Sequence, residues 1–522
     1  MNILKTYSKA LKLYRAKNYD EALKIVTKVK AAAPHWDKPF LLEVFIRREQ
    51  GERIKTLPML EKLLPRLKYS SPEDKAMAAE AFNCLGSVNR FIGRNEEAVR
   101  AFCLSASLSH KNNNACDEIS NALFTASSAE NFSAEDFQAL YAEYKKYLAD
   151  IVPYPKKFYE HKKIRVGFVS ANFQWSVVMS WSWHFFNGTF DDKAFAIYCY
   201  SNVKEPDNVT ELFRKVVKNW RDIHNLTDEA AAKLIRDDEI DILFDLDGHT
   251  QNNRLRVAAY RPASVQIAGV GYMNSTGLDC FDYFLSDVYC AGDENYFTEK
   301  LIVLPHSHIC YESPIKIEPA AAPPCLRNNF VTFGSFNNFA KVTDSILLAW
   351  KKILDAVPDS RLLLKHKIFS NDDGREFVSE RMKSFGFDLA RVEMRGFSDS
   401  NYLVEYGDMD IALDTFPYTG GVTTCEALYM GVPVVSLYGD RHGTRFGLSL
   451  LSNIGIGELA VASYDDYVGR AVMLASDWEL LAILRKNLRV MMKKSPLMDS
   501  AGYIREVEQA FIKVLNEARQ AE

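Results

Sequence analysis

The 522-residue sequence has no C-x-x-C pair, and its nine cysteines are widely spread and odd in number. That argues against a disulfide framework or a zinc ribbon and reads as reduced thiols in a reducing compartment. No apolar run approaches the roughly 18 residues that a membrane span needs. The stretch Met1–Leu23 is charged and helix-periodic and lacks the apolar core of a signal peptide. Neither charge sign is in excess, with 64 Lys+Arg against 68 Asp+Glu and a net charge of −4. That balance speaks against a nucleic-acid or polybasic membrane surface spread over the molecule. Glycine (25) and proline (18) are present at ordinary levels, which removes the collagen-like and low-complexity classes. The expectation is a cytoplasmic protein with no nucleic-acid and no membrane partner. The chain is long enough for three or four domains and for a core that needs no metal or disulfide support.

What is present divides into two textures. Residues 1–150 carry helical periodicity only. The segments Leu13–Leu23 and Asn89–Val99 repeat a helix–turn–helix pattern in which a small residue, Ala22 or Ala98, follows the turn. These alanines lie 76 positions apart, two periods of 38, and a weaker unit around Arg48–Glu52 falls between them. The pattern resembles tetratricopeptide repeats, whose period is about 34, and predicts three loose units. Each helix pair in such an array buries its apolar face only by stacking on the next. A plain helical bundle is the alternative.

Two prolines in Ile151–Lys157 mark a linker. Beyond it, short apolar runs rich in β-branched residues predict buried parallel strands at 164–170, 195–200, 240–245, 265–271 and 301–304. A second set begins at 330–334, with a helix at 343–356 and strands at 361–365, 411–413 and 433–437. The segment Glu318–Pro324 separates the two sets. The predicted organisation is α plus α/β, with a helical repeat domain at 1–150 and Rossmann-like lobes at 151–317 and 318–522, the last ending in a helix. Ligands of such sheets bind at the carboxyl ends of the strands.

Three stretches sit at such ends. Asp414–Pro433 leaves a strand, passes through Gly420-Gly421 and enters a helix. Free amides at a helix start, with Thr423 and Thr424 beside them, suit a diphosphate, and glycines admit it to the backbone. Glu426, one turn into the helix, suits ribose hydroxyls. A Gly-Gly turn by itself fits an ordinary capped helix equally well. Phe333–Lys341 again follows a strand, and Lys341 would oppose the charge that grows on a departing diphosphate. Asp245–Thr250 places His249 at a strand tip, where an imidazole can exchange protons near neutral pH.

FGSFNN–K, DLDGHT, RPA-x-VQ, TTCEAL-x-MGVPVV and Asp440–Arg445 occur in one order. Together they resemble the SPINDLY and O-linked N-acetylglucosamine transferase family over about residues 161–515. The resemblance implies tetratricopeptide repeats followed by a GT-B glycosyltransferase. It also implies inverting, metal-free transfer of a sugar from a nucleotide diphosphate to Ser or Thr of a protein. Carried over by position, Asn338 and Lys341 match nucleotide and phosphate contacts, Thr423 a phosphate contact and Glu426 the ribose acid. Tyr402 stands where a base-stacking histidine is expected, and Gly271 and Tyr272 match a sugar-pocket turn in which Met273 replaces a proline. The family's S-x-D-F-x-x-H loop reads Ser170-Ala171-Asn172-Phe173-Gln174-Trp175-Ser176 here. A serine at its ordinary pKa cannot accept a proton as imidazole does. The proton would then go to His249 or to a phosphate oxygen of the substrate, with His184 a weaker substitute, unless the acceptor differs or the site is inactive.

Some features are discounted. Asp245-x-Asp247 and Asp408-x-Asp410 mimic a metal motif but fall in strands the family uses without metal. His306-x-His308 lacks an evident third ligand. The expected activity is a protein O-glycosyltransferase using a UDP-sugar, with N-acetylglucosamine the expected sugar, although plant SPINDLY proteins transfer fucose. His249 and Lys341 are the expected catalytic residues, no cofactor is expected, and the partners are a nucleotide sugar and a protein acceptor, flagellin-like if the source is bacterial. Asn- or glycan-directed transfer is the enzymatic rival, and a repeat adaptor without catalysis is the other.

Overall fold

The computed structural model describes residues 2–109, 111–313, 315–398 and 401–521. The amino-terminal part contains α1 (Ile3–Arg15), α2 (Tyr19–Ala32), α3 (Asp37–Glu49), α4 (Thr56–Leu63), α5 (Pro72–Ile92), α6 (Asn95–Leu108), α7 (Asn112–Ala126) and α8 (Ala134–Lys146). Consecutive helices pair, and each pair stacks on the next through α2–α3, α4–α5 and α6–α7. Ala22 and Ala98 are fully buried where the helices approach. The longest helix of the array, α5, begins with a Ser71–Asp74 capping box and a proline in its first turn, and stops at Gly93, whose φ of 84° is left-handed. Among the described residues four pairs are present where the repeat pattern predicts three. The fourth, α7–α8, is joined by the serine-rich turn 127–133, which has none of the Gly-Arg-Asn-Glu-Glu-Ala signature.

The first lobe is a parallel sheet of β1 (Ile164–Ser170), β2 (Phe195–Ser201), β3 (Asn219–Asp222), β4 (Ile242–Asp245), β5 (Val265–Ala268), β6 (Tyr283–Asp287) and β7 (Lys300–Leu304), in the order β3-β2-β1-β4-β5-β6-β7. The second contains β8 (Thr332–Ser335), β9 (Arg361–Lys365), β10 (Val392–Arg395), β11 (Ile411–Leu413), β12 (Val434–Leu437) and β13 (Ala460–Val461), in the order β10-β9-β8-β11-β12-β13. Central strands β4, β5, β8, β11 and β12 are buried along their whole length, as expected of a sheet covered on both faces. Both sheets reverse direction of winding beside their first strand. Those switch points, β1/β4 and β8/β11, open the crevices in which doubly wound folds hold ligands.

The terminal helix Ser500–Gln520 departs from the predicted boundary. Chain order assigned it to the second lobe, yet it packs on the first. Phe511 is fully buried, with its ring 6.4 Å from Phe190 and 5.9 Å from Phe244. Arg519 donates to the Tyr159 carbonyl at 3.1 Å. The helical array is bound to both lobes, reaching the first where Ser120 Oγ meets His249 Nδ1 at 2.9 Å. Asn95 donates to the carbonyls of Ser128 (3.1 Å) and Ala340 (2.9 Å), and Arg441 of the second lobe reaches the carbonyls of Ala126 and Ala129.

Candidate functional site

The chain leaving β8 turns sharply at Phe339–Lys341, and the exposed Asn338 holds the turn by accepting the Ala340 amide at 3.1 Å. Lys341 donates from Nζ to the Thr419 carbonyl at 3.2 Å and stands 3.3 Å from the centre of the Tyr418 ring. Burial pushes its ammonium down to about 8, against the pull of Asp414.

The chain leaving β11 starts with the buried Asp414. Its Oδ1 accepts the amides of Thr415 (2.8 Å) and Gly420 (2.7 Å) and the Asn337 side chain (3.2 Å), while Oδ2 accepts the Ser436 hydroxyl at 2.7 Å. Thr423 Oγ1 donates to Asn337 Oδ1 at 2.8 Å. Asp414 and Asn337 therefore clamp the two loops to each other, a role the sequence motifs did not single out. The Gly420 amide is engaged by Asp414, so it does not serve as the free donor expected from the Gly-Gly pair. Gly421, Thr423 and the first turn of the helix Val422–Tyr429 remain partly open, and the amides of such a turn have no intrahelical acceptor. Thr424 is buried.

Glu426 is buried further along the same helix. It accepts hydroxyl hydrogen bonds from Tyr402 and, at 3.2 Å, from Tyr406. Burial pushes its carboxyl up to about 7. Tyr402 is thus a donor to Glu426.

In the first lobe the expected base has another role. His249 is buried, with Nε2 2.7 Å from the Thr276 carbonyl and Nδ1 2.9 Å from Ser120 Oγ of α7. A carbonyl can only accept, so Nε2 carries the proton and Nδ1 accepts from the serine. No ring nitrogen is left to take a proton, and burial lowers the imidazole to about 4. This corrects the expectation of a cleft-facing base: His249 ties the repeat array to the lobe. His184 faces the terminal helix, 2.8 Å from Ser500 Oγ, and is no substitute.

Ser176 Oγ donates to the Asn172 carbonyl and accepts the Met179 amide, each at 3.2 Å. Asn172 donates to Asp247 at 2.8 Å, beside the Ser170 hydroxyl and Ala171 amide, both at 2.6 Å. Burial and the neighbouring Asp247 push Asp245 well above the usual carboxylate range. An acid at position 172 would add a third carboxyl to this buried pair, and the amide avoids that cost. Asp410 is likewise structural, accepting the Cys325 and Thr332 amides at 2.9 and 2.8 Å.

Gly271 passes so close to β4 that an added Cβ would lie 2.0 Å from the Leu246 carbonyl oxygen. The Tyr272 ring beyond it lies 5.4 Å from His249 and 6.4 Å from Phe124 of α7, and Phe124 lies 6.4 Å from Tyr418. Aromatic contacts thus join the sugar-pocket turn, the repeat array and the Lys341 loop. Ser120 and Phe124 could not be found from motifs, because they come from the repeat domain. Between α7 and the first lobe runs a polar groove of about 720 Å³, lined in part by Asp117, Glu118, Asn121, Lys204 and Asn252. Burial pushes Glu118 up to about 7, and burial with Asp228 pushes Asp117 up to about 6.

The profile of glycosyl transferase family 41 matches residues 145–313 and 321–507. A protein of Solanum lycopersicum, described as a probable UDP-N-acetylglucosamine–peptide N-acetylglucosaminyltransferase SPINDLY, is 41% identical over 325 residues, covering 61% of this chain and 35% of that protein. The Arabidopsis thaliana protein described in the same terms as SEC is 27% identical over 371 residues, covering 68% of this chain and 37% of that one. The chain therefore spans about a third of the length of these curated relatives. A solved mutant of the Thermobaculum terrenum O-GlcNAc transferase superposes with a TM-score of 0.86 at 27% identity, over 99% of this chain and 98% of that one. No helix among the described residues is long and apolar enough to cross a membrane.

Proposed function

The chain belongs to glycosyl transferase family 41, and from that premise we propose that it transfers a sugar, N-acetylglucosamine in the first instance, from a UDP-sugar to Ser or Thr of a protein. The observation that carries this reading is the pairing of the loops after β8 and β11 at their switch point. There Lys341 donates to the Thr419 carbonyl beside the Gly420-Gly421 turn, and Thr423 is tied through Asn337 to Asp414. A half-buried cation beside a helix start suits a diphosphate without a bound divalent ion. Lys341 would neutralise the leaving UDP, Glu426 would exchange its tyrosine partners for ribose hydroxyls, and Tyr402, freed from Glu426, would lie against the base.

Inversion follows if the acceptor hydroxyl attacks the face of the sugar opposite the diphosphate. With His249 saturated and Ser176 holding a turn, we assign the acceptor proton to an oxygen of the diphosphate. The groove along α7 would hold the polypeptide, its lining offering both acids (Asp117, Glu118, Asp228, Glu229) and cations (Lys204, Arg254, Arg256) to a polar acceptor segment. A flagellin-like protein is one acceptor to test.

The deciding experiment incubates the chain with UDP-sugars and candidate acceptors and maps modified residues by mass spectrometry. Modified Ser or Thr supports the proposal, and modified Asn or glycan replaces it. Lys341→Ala should lose more turnover than UDP affinity if the lysine acts on the leaving group. That His249, His184 and Ser176 are all engaged elsewhere favours one second reading, a repeat adaptor. That reading requires no turnover of any UDP-sugar, and an absence of UDP binding at millimolar concentration would support it.

A further inference from the structure

His306 and His308 part company in the fold. His306 is exposed and pairs with Glu506 at 2.6 Å, whereas His308 is buried beside two residues remote in sequence. Cys290, His308 and His442 are 0%, 1% and 1% exposed, and one ligand atom from each lies within 4.8 Å of the others. We propose that these three side chains form a zinc site that staples the two lobes together. The site is separate from the nucleotide opening, and the proposal does not depend on the reading of function above.

Three observations carry it. First, each imidazole is oriented by its other nitrogen. His308 Nδ1 lies 2.6 Å from Asp287 Oδ2, and His442 Nδ1 lies 3.1 Å from the Met273 carbonyl. A carbonyl fixes the proton on Nδ1 of His442, so Nε2 presents a bare lone pair. Carboxylate–histidine and carbonyl–histidine contacts are how ligating imidazoles are held towards a metal. Second, His442 Nε2 is buried and has no hydrogen-bond partner. An acceptor without a donor is rare in a folded interior, and a cation would satisfy it. Third, the surroundings are dry and neutralising. Phe284, Phe297 and Phe446 lie 5.2, 6.0 and 5.5 Å from the His442 ring. Asp287 is fully buried, with its oxygens held by the Tyr289, Cys290 and His308 amides and by Ser449 Oγ.

The donor set selects the metal. Two imidazoles and one thiolate suit zinc and disfavour magnesium and calcium, which take oxygen ligands. A thiolate and the Asp287 carboxylate balance a divalent ion. The Arg445 guanidinium is held on the carbonyls of Tyr289 (2.6 Å) and Gly439 (2.7 Å), and the Arg445 carbonyl accepts the Cys290 thiol at 3.5 Å, a contact that metal binding would replace. Tetrahedral zinc spaces such ligand atoms about 3.3–3.6 Å apart, given its bond lengths. The three side chains would close on the ion through small torsions, giving a site with three protein ligands. Cys290 and His308 belong to the first lobe and His442 to the second. The ion would therefore fix the lobes next to Gly443, whose carbonyl accepts the Thr419 hydroxyl at 3.1 Å, while the Thr419 carbonyl holds Lys341.

The full chain, purified without a metal-affinity step, is assayed by elemental mass spectrometry and expected to carry about one zinc per molecule. After chelation, cobalt(II) should produce a thiolate-to-cobalt charge-transfer band in the wild type and in His306→Gln, but not in Cys290→Ser. Zinc added back to the chelated chain should raise its melting temperature, and His442→Gln should abolish that rise. No zinc as purified together with no cobalt–thiolate band overturns the proposal. So does a band, or bound zinc, that survives in Cys290→Ser.

Discussion

If Lys341 holds the diphosphate, UDP affinity must titrate with that one ammonium. Burial pushes it down to about 8, so the lysine is charged below that pH and neutral above it. A diphosphate binds the charged form. Affinity is therefore intact below pH 8 and is lost as the pH rises past it. With a pKa of about 8, the charged fraction is roughly nine-tenths at pH 7 and one-tenth at pH 9, so the dissociation constant for UDP should rise about tenfold between them, or ~1.4 kcal/mol. Isothermal titration calorimetry at pH 7, 8 and 9 and constant ionic strength reads this directly, since salt would otherwise screen the contact. Lys341→Arg keeps its charge throughout and should bind UDP with a flat pH profile. Lys341→Met should bind more weakly at pH 7 and be flat as well. A wild-type constant that does not change between pH 7 and 9 refutes the argument, as does a slope that persists in Lys341→Met.

Asp414→Asn removes an acceptor shared by two amides, an asparagine and a serine, and should cost about 1–3 kcal/mol of stability by urea unfolding, with weaker UDP binding by calorimetry. Unchanged stability would mean that the loops do not rely on the clamp. For Glu426, the carboxyl is raised from 4.5 to about 7 in the fold. Its contribution is therefore whole below about 4.5 and lost as the pH rises through 7. Glu426→Gln should accordingly gain melting temperature over the wild type at pH 8 relative to pH 5, and the same difference at both pH values would contradict this. Phe511→Ala should destabilise the chain by about 3–5 kcal/mol and expose the terminal helix to protease. A protected helix in that variant would show that other contacts hold it on the first lobe.

Much of this molecule could be read from local pattern. Largely apolar runs such as Ile164–Ser170 and Val434–Leu437 are strands because a strand covered on both faces is built mostly from apolar residues. Ala22 and Ala98 mark the helical array because only a small side chain fits where two helices close on a turn. The loops after β8 and β11 carried motifs because their residues face a ligand and must have particular chemistry. The edge strands β3 and β10 were missed because their outer sides meet water, which leaves polar sequences such as Asn219-Trp220-Arg221-Asp222. What only the tertiary structure decided are the partnerships between distant segments. His249 looked like a base until Ser120, 129 residues away, was found on its second nitrogen. The terminal helix looked like part of the lobe before it until Phe511 was found among first-lobe rings. Side-chain type and spacing report what a residue can do, but a proton acceptor is available only if nothing else in the fold has already taken its lone pair.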